Sequence, residues 1–287
     1  MKTFEGLYVA TLTPFDPQDR LDIGVLRAHI RFLVSHGVKG ICPCGTTGEF
    51  LYLTLAEKVR IVEEAMRAAE GRAAVIAGCW ALRPAEIRLL ARAAEDAGAD
   101  AVFLPPPIYY PADDSTIERH YAVAREACSL PVFAYNIPAY AANTVSADCL
   151  ERMLAGGIIA GVKDSSARSE RMQELVSRFG ERMRVFAASD SFATEARQIG
   201  AHGFISALAN VYPAEFLKLW DGAAGLQEWV DALRTAVKKS GGIVAIKHLA
   251  TRRGFPFGEA RVPSSPLGEA QLGALAEVAA PPAVKEA

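Results

Sequence analysis

Short runs of apolar residues alternate along the chain with longer stretches in which apolar positions recur every three or four residues. The runs Leu7–Leu12, Gly40–Cys44, Ala74–Cys79, Ala101–Leu104, Val132–Tyr135, Ile158–Val162, Val185–Ala188 and Gly203–Ala207 are apolar at successive positions, as strands buried on both faces are. The stretches between them carry a helical period. Thr54-Leu55-Ala56-Glu57 has the Thr-x-x-Glu form of a capping box, and Leu55, Val59, Val62, Met66 and Ala69 follow on one face. Pro84 suits a first helical turn, and Ile87, Leu90, Ala94 and Ala97 form the stripe behind it. Met172, Leu175, Val176 and Phe179 repeat the pattern. Gly37, Gly98 and Gly200 each separate such a stretch from the next strand, where a left-handed C-cap is expected.

Eight strand-then-helix units predict an α/β fold, a closed (β/α)8 TIM barrel, a form that takes about 250 residues. A doubly wound sheet is the alternative. It usually carries Gly-x-Gly-x-x-Gly after its first strand, and no Gly-x-Gly occurs anywhere in this chain. Residues 1–224 are read as the barrel. Residues 225–287 are read as a C-terminal helical extension in the same structural unit, with helices Leu226–Lys238, Ile243–Ala250 and Glu269–Ala279 and a fraying tail from Pro281.

Composition narrows the function classes. Hydrophobic residues make up 51% of the 287, enough for a substantial core, which excludes a disordered chain. Lys and Arg number 31 against 33 Asp and Glu, so no global basic field favours nucleic acid or anionic lipid. No apolar stretch approaches the roughly 18–20 residues of a membrane span, and the first residues lack the apolar core of a secretory signal. Five cysteines, scattered and odd in number, read as reduced thiols in a cytoplasmic protein.

In a barrel of this kind the chemistry sits at the C-terminal strand ends. Four such ends carry reactive side chains: Gly45-Thr46-Thr47-Gly48-Glu49, Pro105 to Tyr110, Tyr135-Asn136-Ile137-Pro138 and Val162-Lys163-Asp164-Ser165-Ser166. Lys163 leaves a buried run, and burial disfavours an ammonium, which frees an amine to attack carbonyls. The plainer readings are a lysine reaching solvent or one paired with Asp164. Tyr135 could move protons beside it, or be a core tyrosine with a satisfied hydroxyl. Thr46 and Thr47, between glycines, suit a carboxylate, although a tight turn explains them equally well. Cys42-Pro43-Cys44 is not a zinc spacing and reads as core. The histidines at 29, 36, 120, 202 and 248 join no catalytic motif, so no metal site is expected. Asp113-Asp114 reads as a helix start, and Lys238-Lys239 and Arg252-Arg253 read as solvated faces.

Taken together, Gly45-Thr46-Thr47-Gly48-Glu49, Tyr135-Asn136-Ile137-Pro138, Val162-Lys163-Asp164 and Gly203-Phe204-Ile205-Ser206 closely resemble the dihydrodipicolinate synthase / N-acetylneuraminate lyase family of pyruvate-dependent class I aldolases. The resemblance runs from about Gly6 to Leu267 and takes in Thr13-Pro14-Phe15 and Val262-Pro263. It implies a homotetramer built as a dimer of dimers, acting on a small 2-keto acid and an aldehyde. It implies a Schiff base between Lys163 and the keto carbon, with no other cofactor. Tyr135 matches the family's general acid/base, and Thr47 or Thr46 its proton relay and carboxylate holder. Tyr109, adjacent to Tyr110, matches a tyrosine reaching in from the neighbouring subunit. Gly48 falls among the substrate-binding positions, and Ile205 lies where backbone approaches bound pyruvate.

Two departures bear on the substrate. Where biosynthetic dihydrodipicolinate synthases carry an arginine that binds the aldehyde partner's carboxylate, this chain has Tyr140. Where sialic acid lyases carry an Asp-Glu pair, it has Asp190-Ser191. Ser165, Ser189, Asp190 and Tyr140 then suit a hydroxylated aldehyde chain. The expected reaction is cleavage or formation of a 2-keto-3-deoxy sugar acid or a 4-hydroxy-2-keto acid. Dihydrodipicolinate synthase, N-acetylneuraminate lyase, a dehydratase using the same imine, and a keto-acid binder without turnover are the alternatives.

Overall fold

The computed structural model describes residues 3–282. Eight parallel strands close into a barrel in chain order: β1 (Gly6–Val9), β2 (Gly40–Ile41), β3 (Ala74–Gly78), β4 (Ala101–Leu104), β5 (Val132–Asn136), β6 (Gly161–Asp164), β7 (Arg184–Ala187) and β8 (Gly203–Ser206). Helices α1 (Ile23–Ser35), α2 (Leu55–Ala69), α3 (Pro84–Asp96), α4 (Asp114–Ala127), α5 (Ala147–Ala155), α6 (Ser169–Phe179), α7 (Ala193–Ile199) and α8 (Pro213–Asp221) alternate with them. Then come α9 (Leu226–Lys239), α10 (Ile243–Arg252) and α11 (Glu269–Val278). The fold is a TIM barrel with C-terminal helices, as the alternating pattern predicts. Residues 283–287, most of the tail expected to fray, lie outside the described residues. Among the described residues no helix is long and apolar enough to cross a membrane.

The local signals act where they were read. The Thr54 hydroxyl accepts from the Glu57 N–H while the Glu57 carboxylate accepts from the Thr54 N–H, closing the capping box of α2. Asp113 caps α4 by accepting from the Thr116 N–H. Gly37, Gly98 and Gly200 sit at φ of 91°, 82° and 100°, in the left-handed region that ends a helix.

The sixth strand differs from expectation. Ile158 and Ile159 precede it, because the Ile158 N–H bonds back to the Met153 carbonyl and closes the end of α5. The strand itself is Gly161–Asp164, so Lys163 lies within it rather than after it. Strand β2 ends at Ile41, shorter than the predicted run. Pro43 has no N–H to give the ladder, and Cys44 turns the chain at φ 58°.

Two apolar zones form. One lies between strands and helices; the other fills the barrel. Inside, three aromatic rings occupy space that neighbouring strands leave open. A Cβ on Gly40 would stand 2.0 Å from the Tyr8 ring, one on Gly161 2.3 Å from Phe133, and one on Gly203 2.3 Å from Phe186. Large side chains on β1, β5 and β7 thus face glycines on β2, β6 and β8. Phe4 packs edge-on against Phe133 at 5.2 Å, and Tyr8 against Phe186 at 5.0 Å. Tyr8, Phe133 and Phe186 are each 1% exposed or less, so this layer is a dry floor.

Candidate active site

The parallel register of β5 and β6 sets Tyr135 beside Lys163. Side chains alternate across a strand, so both point inward while Asn136 and Asp164 point the other way. The Lys163 ammonium lies 3.8 Å from the Tyr135 ring centroid and 5.2 Å from that of Phe103. The Tyr135 hydroxyl is 3.4 Å from the Thr46 hydroxyl, at the outer limit of a hydrogen bond. Lys163 is 4% exposed, yet among the described residues no carboxylate forms an ion pair with it.

Asp164 is not its partner. That carboxylate accepts from Asn136 Nδ2 at 2.9 Å and from the Ser166 N–H at 2.9 Å, and Arg171 stands 3.5 Å away. The Asn136 side-chain oxygen accepts in turn from the Val145 N–H. These bonds fasten the ends of β5 and β6 together from outside, and so fix the Tyr135–Lys163 pair inside.

The loop after β2 brings the threonines to the mouth. Gly48 is held there: its carbonyl accepts from the Thr13 hydroxyl at 2.7 Å, and a Cβ on it would stand 3.0 Å from the Thr11 carbonyl oxygen. Thr46 turns its hydroxyl to Tyr135. The Thr47 hydroxyl forms no hydrogen bond among the described residues.

Behind the threonines lies a buried charged pair that pattern reading missed. Glu49, at φ 59°, has a side chain with no exposure, and one of its oxygens accepts from the backbone N–H groups of Arg261 (2.6 Å) and Val262 (3.0 Å). Its other oxygen meets the Lys247 ammonium at 2.6 Å, charge to charge rather than along a hydrogen-bond direction. Lys247 also donates to the Glu259 carbonyl at 3.0 Å and lies 4.4 Å from the Phe15 ring centroid. Burial pulls the Lys247 pKa down, against the pull of Glu49. The signal was present: a lysine among the apolar positions Ile243, Val244, Ala245, Ile246 and Leu249, and an acid ending the Gly-Thr-Thr-Gly run. Arg261 extends the clamp, donating to Asp19 (2.7 Å) and Glu57 (2.9 Å).

A cleft of about 480 Å³ opens above this floor between the strand ends and the turn from α9 to α10. Thr46, Ile137, Tyr140 and Lys238 line it. Lys238, read from sequence as a solvated face, is thus at the mouth. Ile205 is buried in the barrel interior and Ser165 is half-buried at the end of β6. Tyr109, Tyr110 and Tyr140 are each at least 75% exposed, and Tyr109 holds φ 76°, strained for a tyrosine. Asp190 is already engaged: one oxygen accepts from the Ser206 hydroxyl at 2.5 Å and the other pairs with Arg234 at 3.3 Å. Burial raises its pKa, opposed by Arg234 and Ser206.

Burial acts on the thiols as well. Burial pushes Cys42 and Cys44 up to about 12, with Lys163 and Lys58 respectively opposing. Among the described residues no three His, Cys, Asp or Glu side chains gather as a metal site would require.

A lysine and a tyrosine inside the C-terminal end of a TIM barrel can be compared with known proteins. A 4-hydroxy-tetrahydrodipicolinate synthase of an Anaeromyxobacter species is 32% identical across 96% of this chain and 97% of its own. The crystal structure of dihydrodipicolinate synthase from Aquifex aeolicus superposes with a TM-score of 0.91 at 28% identity, covering 96% of this chain and 97% of that one. Ruminococcus gnavus sialic acid aldolase gives a TM-score of 0.91 at 25% identity over 96% of each chain. The profile of the dihydrodipicolinate synthetase family matches residues 3–280. Matched over nearly its whole length, this chain belongs to that family and is one of its class I carbon–carbon lyases.

Proposed function

We propose that the protein cleaves a 4-hydroxy-2-keto acid to pyruvate and an aldehyde, or runs the reverse, through an imine on Lys163. The observation that carries this reading is the inward lysine, buried without a counter-ion among the described residues, against a tyrosine whose hydroxyl meets Thr46. The Lys163 amine adds to the C2 carbonyl, and loss of water leaves an iminium. Tyr135 takes the proton of the C4 hydroxyl while its own moves on through the Thr46 hydroxyl, which releases its proton in turn to water at the mouth. The C3–C4 bond breaks, its electrons flow into the iminium to give an enamine, and the aldehyde leaves. C3 regains a proton, and water adds to the iminium to release pyruvate and the free lysine.

Thr47 and Gly48 hold the keto-acid carboxylate in this reading, with Ile205 behind the bound pyruvate. Tyr109, outward on one chain, completes the relay of a second copy, which fits a tetramer assembled from dimers. Ser165 and Tyr140 remain available to the aldehyde half, whereas the Asp190 carboxylate is taken. That engagement favours the 4-hydroxy-2-keto acid over the longer sugar acid. The second reading, condensation with aspartate semialdehyde, draws on the names of relatives such as the Anaeromyxobacter synthase. Tyr140 in place of a guanidinium weighs against it.

Borohydride reduction in the presence of pyruvate, followed by peptide mapping, tests the core claim. A pyruvate-sized increment confined to the Lys163 peptide and lost in Lys163→Ala is the expected result. No adduct on folded protein overturns the imine chemistry.

A further inference from the structure

We propose that the aldehyde half of the substrate is an apolar body, aromatic or branched aliphatic, rather than a polyhydroxylated chain. The inference rests on the imine chemistry proposed above and concerns the space over it. The cleft of about 480 Å³ is lined by Thr46, whose hydroxyl stands 3.4 Å from that of Tyr135, and by apolar walls from four directions. Ile108 comes from the loop after β4, Ile137 and Ala141 from that after β5, Ile243 from the first turn of α10, and Val262 from the chain beyond it. A space of about 150 Å³ already takes a benzene ring, so an aryl group fits without rearrangement.

The polar groups of the lining do not suit a polyol. Glu49 reaches the cleft, but one oxygen is held by two backbone N–H groups and the other faces Lys247. Thr46 is committed to Tyr135. Lys238 is an exposed cation at the rim, where water reaches it. Asp190 is turned to Ser206 and Arg234. The phenols of Tyr52 and Tyr140 are the remaining polar side chains of the lining, both exposed to solvent, so a chain of three hydroxyls leaves at least one without a protein partner, and a buried, unpaired hydroxyl costs on the order of tenfold in binding. An aryl or branched-alkyl group loses nothing and gains by leaving water.

The test compares kcat/KM for pyruvate release from 4-hydroxy-4-phenyl-2-oxobutanoate with that from a 2-keto-3-deoxyhexonate, alongside borohydride trapping with pyruvate alone. The expected result is at least about a tenfold preference for the phenyl substrate. In Ile243→Asn, KM for the phenyl substrate should rise about tenfold with kcat little changed. Equal or greater turnover of the hexonate, with the Lys163 adduct present, overturns the apolar assignment and leaves the imine intact. Trapping without cleavage of either substrate overturns it as well. Absence of the adduct removes the imine reading, and this inference falls with it.

Discussion

Replacing Lys247 with methionine should destabilise the protein far more than its place in a peripheral helix suggests. The Glu49 and Lys247 side chains are 0% and 3% exposed and stand 2.6 Å apart. At an effective dielectric of about 20, unit charges at that distance attract by roughly 6 kcal/mol. Taking both from water costs several kcal/mol per ion, so the intact pair contributes little net stability. Methionine keeps most of the stem but leaves Glu49 buried and charged, with only the Arg261 and Val262 N–H groups to hold it. Breaking a buried pair this way typically costs about 3–5 kcal/mol, and those two bonds place the expected loss near 3. Urea unfolding by far-UV circular dichroism reads it as a shift in midpoint at constant slope. The double variant Glu49→Gln/Lys247→Met, which removes both charges, should recover at least half of the loss. A Lys247→Met loss under 1 kcal/mol, or a double variant less stable than the single, would refute the reasoning.

Tyr135→Phe keeps the ring beside Lys163 and removes the hydroxyl that meets Thr46; pyruvate trapping should persist while kcat falls about 10²–10⁴-fold. Gly161→Ala places a methyl 2.3 Å from the Phe133 ring and 2.9 Å from the Arg184 carbonyl, so thermal unfolding should show a loss of about 1–3 kcal/mol. His29 and His120 are held near a pKa of about 4 by burial, below the ordinary 6.5. Between these values the unfolded chain binds more protons. Stability present above pH 6.5 should therefore fall as pH drops to 4, by up to about 3 kcal/mol per histidine, and a flat denaturant midpoint across that window would contradict it.

The barrel was legible because its strands are buried on both faces and its helices carry stop signals that act locally. The capping box at Thr54 and the glycines at 37, 98 and 200 depend on a few neighbouring residues, so sequence spacing suffices to find them. Lys163 stands out in the sequence but the start of its strand does not, since Ile158–Ile159 looks equally apolar whether it closes a helix or opens a strand. The partners of Asp190, Ser206 and Arg234, lie 16 and 44 residues away, beyond what local spacing reveals. The pairing of Glu49 with Lys247 and the clamp from Arg261 are hidden for the same reason. Their meeting depends on how the C-terminal helices return over the β2 loop, which no local pattern encodes.

The aromatic layer beneath Lys163 has a consequence for traffic through the site. With Phe4, Tyr8, Phe133 and Phe186 closing the barrel from below, everything that reaches the imine enters by the same opening through which products depart. Under the proposed chemistry the aldehyde lies between the imine and that opening. The hydrolytic water can approach only after the aldehyde has gone. Release is then ordered, aldehyde first and keto acid last, and the sequence of events is set by a plug that touches neither product.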